Sequence, residues 1–222
     1  MSEKKSSIFV NTLVILIVTF VAVAGLAVVY QVTKEPIAQA EANAKAAVYA
    51  SVFAEANGFT EVENAETLID ASQAAIENAE LGDCSVNEVL TANGANGEAL
   101  GYVIAATSPN GYGGDIQIAV GISNEGVITG FNVISNNETA GLGSKCTNAD
   151  FTSQFEGKNA EILKYTKTGA VADDEIDAIS GATRTTNAVT QAVNTAIIFY
   201  QESFTEEITV RTECLAENTK GE

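Results

Sequence analysis

The pattern of apolar and polar positions changes character several times along the chain. From Ile8 to Tyr30 no residue is charged and most side chains are apolar. At about 1.5 Å per residue such a run spans a bilayer core of about 30 Å, so the pattern predicts a transmembrane helix over residues 8–30. A cleaved signal peptide is the rival reading, with Ala22-Val23-Ala24 as its cleavage site. The apolar run continues past that site, which favours a retained anchor. Pro36 suits the first turn of a new helix, and the Ala-rich residues 37–56 read as a helix stopped near Gly58. Residues 60–82 are acidic and helical in character.

From Ser85 to Ile134 the period falls to two. Ala99 to Thr107 reads as a strand, broken at Ser108-Pro109-Asn110-Gly111. Ile116, Ile118, Val120 and Ile122 alternate with Gln117, Ala119 and Gly121, which predicts a half-buried strand. After the turn Ser123-Asn124-Glu125-Gly126, the residues Val127, Thr129, Phe131 and Val133 share one face of a second strand, giving a hairpin. Asn148 to Gly157 reads as a short helix with Phe151 and Phe155 four apart. Ile162 to Tyr165 and Ile176 to Ile179 are strand candidates. Val189, Val193, Ala196, Ile197 and Tyr200 then recur at helical spacing, and this helix is expected to end near Ser203.

The chain therefore divides into residues 1–7, a cytoplasmic N-terminus; 8–30, the transmembrane helix; 31–84, a helical membrane-proximal region; 85–203, the main domain; and 204–222, a loose polar tail. The predicted class is α+β, with an antiparallel sheet flanked by helices. Lys4 and Lys5 place the N-terminus in the cytoplasm and the large domain on the extracytoplasmic side of the cell membrane.

Composition narrows the chemistry. The 222 residues include no His and no Trp. Without His there is no His-dependent triad and no imidazole ligand. Three Cys without paired C-x-x-C spacing argue against a zinc site or an iron–sulfur cluster. Cys84, Cys146 and Cys214 admit one disulfide outside the cytoplasm; burial or an anaerobic habitat would leave all three reduced. The formal net charge is −18; residues 1–30 carry +1, which leaves −19 for the rest. That balance opposes binding to nucleic acid and fits a soluble domain or one that meets a basic partner. No Gly-x-Gly-x-x-Gly follows a strand, so no nicotinamide site is expected.

The candidate site lies where an acidic approach ends in small residues just before the last helix: Asp177-Ala178-Ile179-Ser180-Gly181-Ala182-Thr183. Hydroxyls at the start of a helix sit beside unpaired N–H groups, where the dipole favours a phosphate. An ordinary N-cap at Ser180 or Thr183 is the plainer reading. Gly181 would let a ligand come close to the backbone. A second candidate is the loop Glu138-Thr139-Ala140-Gly141-Leu142-Gly143, a tight turn after a strand. Cys146 follows three residues later, as a redox group or as a small buried side chain. Gly111-Tyr112-Gly113-Gly114 lacks the Lys-Ser/Thr and the helix of a phosphate loop and reads as a turn.

Asp-x-x-Ser-Gly-Ala-Thr resembles the flavin-attachment motif of the FMN-binding domain family. The loop at Glu138 resembles that family's Glu-Thr-Pro-Gly-Leu-Gly, with Ala140 in place of Pro, and the Gly-Tyr-Gly-Gly turn is similar too. The family includes the G subunit of the Rnf complex and the C subunit of the sodium-pumping NADH:quinone reductase. The resemblance implies covalent FMN, joined through its phosphate to the hydroxyl of Thr183 by a flavin transferase, with Ser180, Gly181 and Ala182 around the linkage. It also implies that Glu138, Thr139, Gly141, Leu142 and Gly143 lie against the flavin. The implied role is a membrane-anchored electron-transfer subunit of an ion-translocating ferredoxin:NAD oxidoreductase, with other membrane subunits and lipid as partners and no catalytic residue or metal of its own. The C subunit of the quinone reductase, or a free-standing flavin shuttle of the cell surface, are the alternatives.

Overall fold

The computed structural model describes residues 3–218, with side chains described for residues 8–205. Met1 and Ser2 of the expected N-terminal segment, residues 219–222 of the expected tail, and the side chains of Lys4, Lys5 and Cys214 lie outside that range. The chain forms two compact units, residues 1–45 and 46–222.

The first unit is helical throughout its described residues and belongs to helix α1 (Glu3–Val52), whose last turns enter the second unit. Every side chain from Ile8 to Tyr30 is exposed, so this stretch has no protein core to occupy. Thr12, Thr19 and Thr33 each donate their hydroxyl to the carbonyl four residues back, Ile8, Ile15 and Val29, at 2.9 Å. Those polar groups are thus satisfied within the helix, as an apolar solvent requires. Contrary to expectation, Pro36 does not open a new helix; α1 runs through it and stops at Val52. Proline removes one N–H and crowds the preceding turn, at a cost of about 3 kcal/mol. The Ala-rich run after Pro36, with Gln31, Lys34 and Glu35 before it, offsets that cost.

The second unit contains β1 (Gly58–Glu61), α2 (Ala65–Asn78), β2 (Ser85–Asn93), β3 (Ala99–Ser108), β4 (Ile116–Ser123), β5 (Ile128–Ser135), α3 (Ala149–Thr152), β6 (Lys164–Thr166), β7 (Glu175–Asp177) and α4 (Thr183–Asn218). Strands β1 to β5 form one antiparallel meander in chain order. The expected α+β architecture is present, with β3, β4 and β5 close to their predicted bounds. β1, inside the stretch read as helical, is a four-residue edge strand on β2. β6 and β7 are the two late strand candidates, and they pair parallel in a separate small sheet.

Strand β4 is buried on both faces rather than half-buried. On one face Ile116, Ile118, Val120 and Ile122 meet α4 in the main core. On the other, Ala119 joins Val103, Ala105, the end of α1 at Tyr49 and Val52, and Phe53 just after it. The small residues there admit a backbone: a Cβ on Gly121 would stand 2.3 Å from the Val52 carbonyl oxygen. The Thr129 hydroxyl donates to the same oxygen at 2.7 Å. Thr129 is exposed, and a register shift between Gly121 and Ile122 puts Ile128, Phe131 and Val133 in the core instead of the strict Val127–Val133 alternation.

The last helix does not end at Ser203. No Gly or Pro occurs between Thr183 and Asn218, and polarity alone does not stop a helix. Phe204, assigned from sequence to the tail, is 2% exposed and stacks on Tyr102 with ring centroids 3.7 Å apart.

Candidate functional site

The site forms where β7 hands the chain to α4. The Ala182 N–H donates to the Ile179 carbonyl at 3.0 Å, closing a tight turn over Ser180 and Gly181. Gly181 has φ +78°, a left-handed conformation that suits glycine. A Cβ there would meet only Leu142 Cδ2, at 3.5 Å. The glycine is thus demanded by the turn; no atom of the described residues crowds it.

Three threonines open α4, in three different situations. Thr186 is fully buried; its hydroxyl donates to the Ala182 carbonyl at 3.1 Å and accepts the Ile179 N–H at 3.0 Å. Thr185 is buried and donates to Glu138 Oε2 at 2.7 Å. Thr183 is half-buried, and its hydroxyl has no partner among the described residues. Neither Ser180 nor Thr183 caps the helix, so the plain N-cap reading fails. The N–H groups of Thr183, Arg184 and Thr185 also lack acceptors among the described residues, leaving the positive end of the helix open.

A cleft of about 330 Å³ lies against this turn. Its walls come from three places far apart in sequence. Glu138, Thr139, Leu142 and Gly143 come from the loop after β5; Gly181, Ala182, Thr183, Arg184 and Thr185 from the start of α4; and Tyr112 from the turn before β4. The two segments singled out in the sequence therefore meet. Two of the candidate site residues, Ser180 and Gly141, stand apart from the cleft. Ser180 lines a neighbouring depression of about 200 Å³ with Lys145 and Asp177. Gly141, at φ +76°, shapes the loop from outside, its N–H donating to Ser144 Oγ at 2.9 Å.

Tyr112, Arg184 and Thr185 were missed as wall residues. Tyr112 is 71% exposed and Leu142 47%, so the cleft offers an aromatic and an aliphatic surface to a flat apolar group. An exposed Tyr between glycines was the available signal. Arg184 donates Nε–H to the Asn110 carbonyl at 3.1 Å and is, among the described residues, the only cationic one lining this cleft.

The Glu138 carboxylate holds the walls together. Oε1 accepts the Gly113 N–H at 3.0 Å, and Oε2 accepts the Thr185 hydroxyl. Glycines pack against it: a Cβ on Gly111 would stand 2.8 Å from Oε1, and one on Gly143 would stand 2.2 Å from Oε2. Behind the loop, Cys146 is fully buried; burial first and the Glu138 charge second push its thiol up to about 11. It stays a neutral thiol at neutral pH, which fits the small buried side chain rather than a reactive group. Cys84 is also buried and free, its thiol pushed up by burial.

Residues 111–198 match the FMN-binding domain family, and residues 1–52 match the RnfG N-terminal region. The chain is 34% identical to the G subunit of the Na(+)-translocating ferredoxin:NAD(+) oxidoreductase complex of Acetobacterium woodii, over 87% of this chain and 92% of that one. It is 32% identical to the G subunit of the ion-translocating oxidoreductase complex of Aliivibrio fischeri, over 92% and 95% of the two chains. Among solved structures, the C subunit of the Na(+)-translocating NADH-quinone reductase of Parabacteroides distasonis is similar with a TM-score of 0.49 and 23% identity, over 68% of this chain and 78% of that one. An FMN-binding domain, an Rnf-type N-terminal region and identity sustained along nearly the full length of these relatives agree: the chain belongs to the family of G subunits of ion-translocating oxidoreductase complexes.

Proposed function

We propose that this chain is a membrane-anchored electron carrier, holding FMN as a phosphoester on Thr183 within an ion-translocating ferredoxin:NAD oxidoreductase complex. The observation that carries the reading is the free hydroxyl of Thr183. Of the three threonines at the start of α4 it alone has no hydrogen bond to a described residue, and it faces a cleft.

The cleft suits the two ends of a flavin nucleotide. Three unpaired N–H groups and the Arg184 guanidinium stabilise a phosphate beside Thr183. Tyr112 and Leu142 give an apolar ring a surface out of water. Bound FMN would supply one- and two-electron transfer, while the protein positions it and tunes its potential. An ester to Thr183 keeps the carrier from diffusing away. Residues 8–30 would anchor the domain, with Lys4 and Lys5 keeping the N-terminus in the cytoplasm and the flavin outside.

The test is the intact mass and in-gel fluorescence of the full chain, in detergent, after co-expression with a flavin transferase. The expected result is one FMN less one water on the peptide of residues 168–184. Thr183→Val, which keeps the shape and removes the hydroxyl, should abolish it. An unmodified wild-type chain beside an active transferase would overturn the reading. Co-purification with integral membrane subunits separates a complex from a free-standing shuttle. The match of residues 1–52 to the RnfG N-terminal region favours the Rnf assignment over the quinone reductase.

A further inference from the structure

We infer that Glu138 decides which threonine at the start of α4 is open to esterification. This rests on the attachment reading above and adds a residue whose role is to position, not to touch the flavin.

Thr183 and Thr185 lie in the same helical turn and line the same cleft. Unpaired N–H groups and Arg184 serve either one. Chemically they are equivalent acceptors. In attachment, the threonine oxygen bonds to the FMN phosphorus of a flavin dinucleotide. The P–O bond to the departing nucleoside monophosphate breaks, and the hydroxyl proton passes to the transferase or to water.

What separates the two threonines is their partners. The Thr185 hydroxyl donates to Glu138 Oε2 at 2.7 Å, and Glu138 is held from its other oxygen by the Gly113 N–H at 3.0 Å. Short bonds of a hydroxyl to a carboxylate are among the stronger kind. Gly143 closes the other side: a Cβ on it would stand 2.6 Å from Thr185 Oγ1 and 2.2 Å from Glu138 Oε2. With no room for a methyl group there, a phosphorus atom has none. Thr185 must break its bond to Glu138 and rotate before its oxygen can attack a phosphorus in the cleft. Thr186 is excluded more simply, by full burial and two hydrogen bonds. Both oxygens of Glu138 are engaged within the protein, so it serves the site by restraining Thr185 and by tying the Tyr112 turn to α4.

Glu138→Gln is nearly isosteric and presents only one oxygen. With that oxygen kept on the Gly113 N–H, the amide NH2 faces Thr185, which then has no acceptor to hold its proton. The experiment uses the full chain with an active flavin transferase. Trypsin cleaves after Arg184, so FMN on Thr183 stays in the peptide of residues 168–184, and FMN on Thr185 appears in the peptide starting at residue 185. Wild type should carry FMN only in the first. Glu138→Gln should raise FMN in the second by about tenfold or more over the wild-type background, in keeping with loss of a bond to a charged acceptor. Thr183→Val should be bare, and Thr183→Val with Glu138→Gln should carry FMN on Thr185. A merely structural role would lower the total yield without moving the ester.

The inference falls if Glu138→Gln keeps all its FMN on Thr183, or if the double variant is bare while its thermal unfolding stays cooperative. It falls also if wild type carries FMN on Thr185, since Glu138 would then be activating that hydroxyl. An unmodified wild-type chain would instead sink the attachment reading, and this inference with it.

Discussion

Several clefts border α4, and two of them contrast in chemistry. The one at its N-terminus holds about 330 Å³, and the one around Tyr200 about 520 Å³. They are separated by roughly 25 Å of helix at 1.5 Å per residue. The larger is lined by Glu125, Glu161, amides and small residues, and among the described residues it has no cationic side chain in its wall. Tyr200 there is already engaged, donating its hydroxyl to the Ser123 carbonyl at 3.1 Å. The smaller cleft has a free hydroxyl, open N–H groups, a cation and an exposed aromatic. Volume does not make a binding site for an anionic flavin in so acidic a chain. Unsatisfied donors and a local positive charge do, and of these two clefts only the one at the start of the helix has them.

The sharpest way to break this contrast is a pair of substitutions. Thr183→Val should remove covalent flavin altogether, and Glu161→Gln in the larger cleft should leave it at the wild-type level. Intact mass reads both. Flavin lost from the second variant and kept by the first would reverse the assignment of the clefts.

Next in size is Gly143→Ala. The added methyl meets Glu138 Oε2 at 2.2 Å and Thr185 Oγ1 at 2.6 Å, and neither can yield without giving up their mutual hydrogen bond. Overpacking of this kind costs about 1–3 kcal/mol. Thermal or denaturant unfolding of the domain should show that loss, together with a several-fold drop in flavin attached. An alanine variant as stable as wild type would mean that the loop is slack and the clamp around Glu138 weak.

The sequence already showed the strands whose alternation is undisturbed, and it picked out the two segments that meet at the cleft. It failed where meaning depends on what lies opposite. The alternation of β4 suggested one wet face, because Gln117, Ala119 and Gly121 look polar or neutral. Ala119 and Gly121 are small because the end of α1 lies on them. β1 was invisible because four residues carry too little periodicity, and its strand character comes from pairing with β2. Thr185 and Glu138 are 47 residues apart, so nothing local announces their bond. Phe204 looked like the start of a tail until Tyr102, far earlier in the chain, supplied its partner.

Gly181→Ala tests a finer point, whether the attachment turn needs glycine for space or for conformation. The only neighbour of the added methyl is Leu142 Cδ2 at 3.5 Å, an ordinary contact, whereas φ is +78°. A left-handed alanine costs about 1–2 kcal/mol. The expected outcome is a modest loss of stability with flavin still attached to Thr183. Complete loss of flavin from a folded alanine variant would show instead that the ligand itself occupies the space over Gly181.

The smallest expected effect belongs to Arg184→Gln. Arg184 is exposed, and its Nε–H is bound to the Asn110 carbonyl, which holds the guanidinium at the cleft. Solvent-accessible charge pairs contribute about 0.2–1 kcal/mol, which corresponds to at most about a fivefold slower attachment. The direction is still informative, because an anionic flavin nucleotide approaches a chain of net charge −18 and meets the Arg184 cation in the wall of this cleft. At low ionic strength the variant should be flavinylated more slowly than wild type. At about 1 M salt, where the screening length falls to about 3 Å, the two rates should converge. A defect that persists unchanged at high salt would mean that Arg184 acts through its bond to Asn110, by holding the wall of the cleft in place. The small cleft would then owe its difference from the large one to its N–H groups and its free threonine, without help from the side-chain charge.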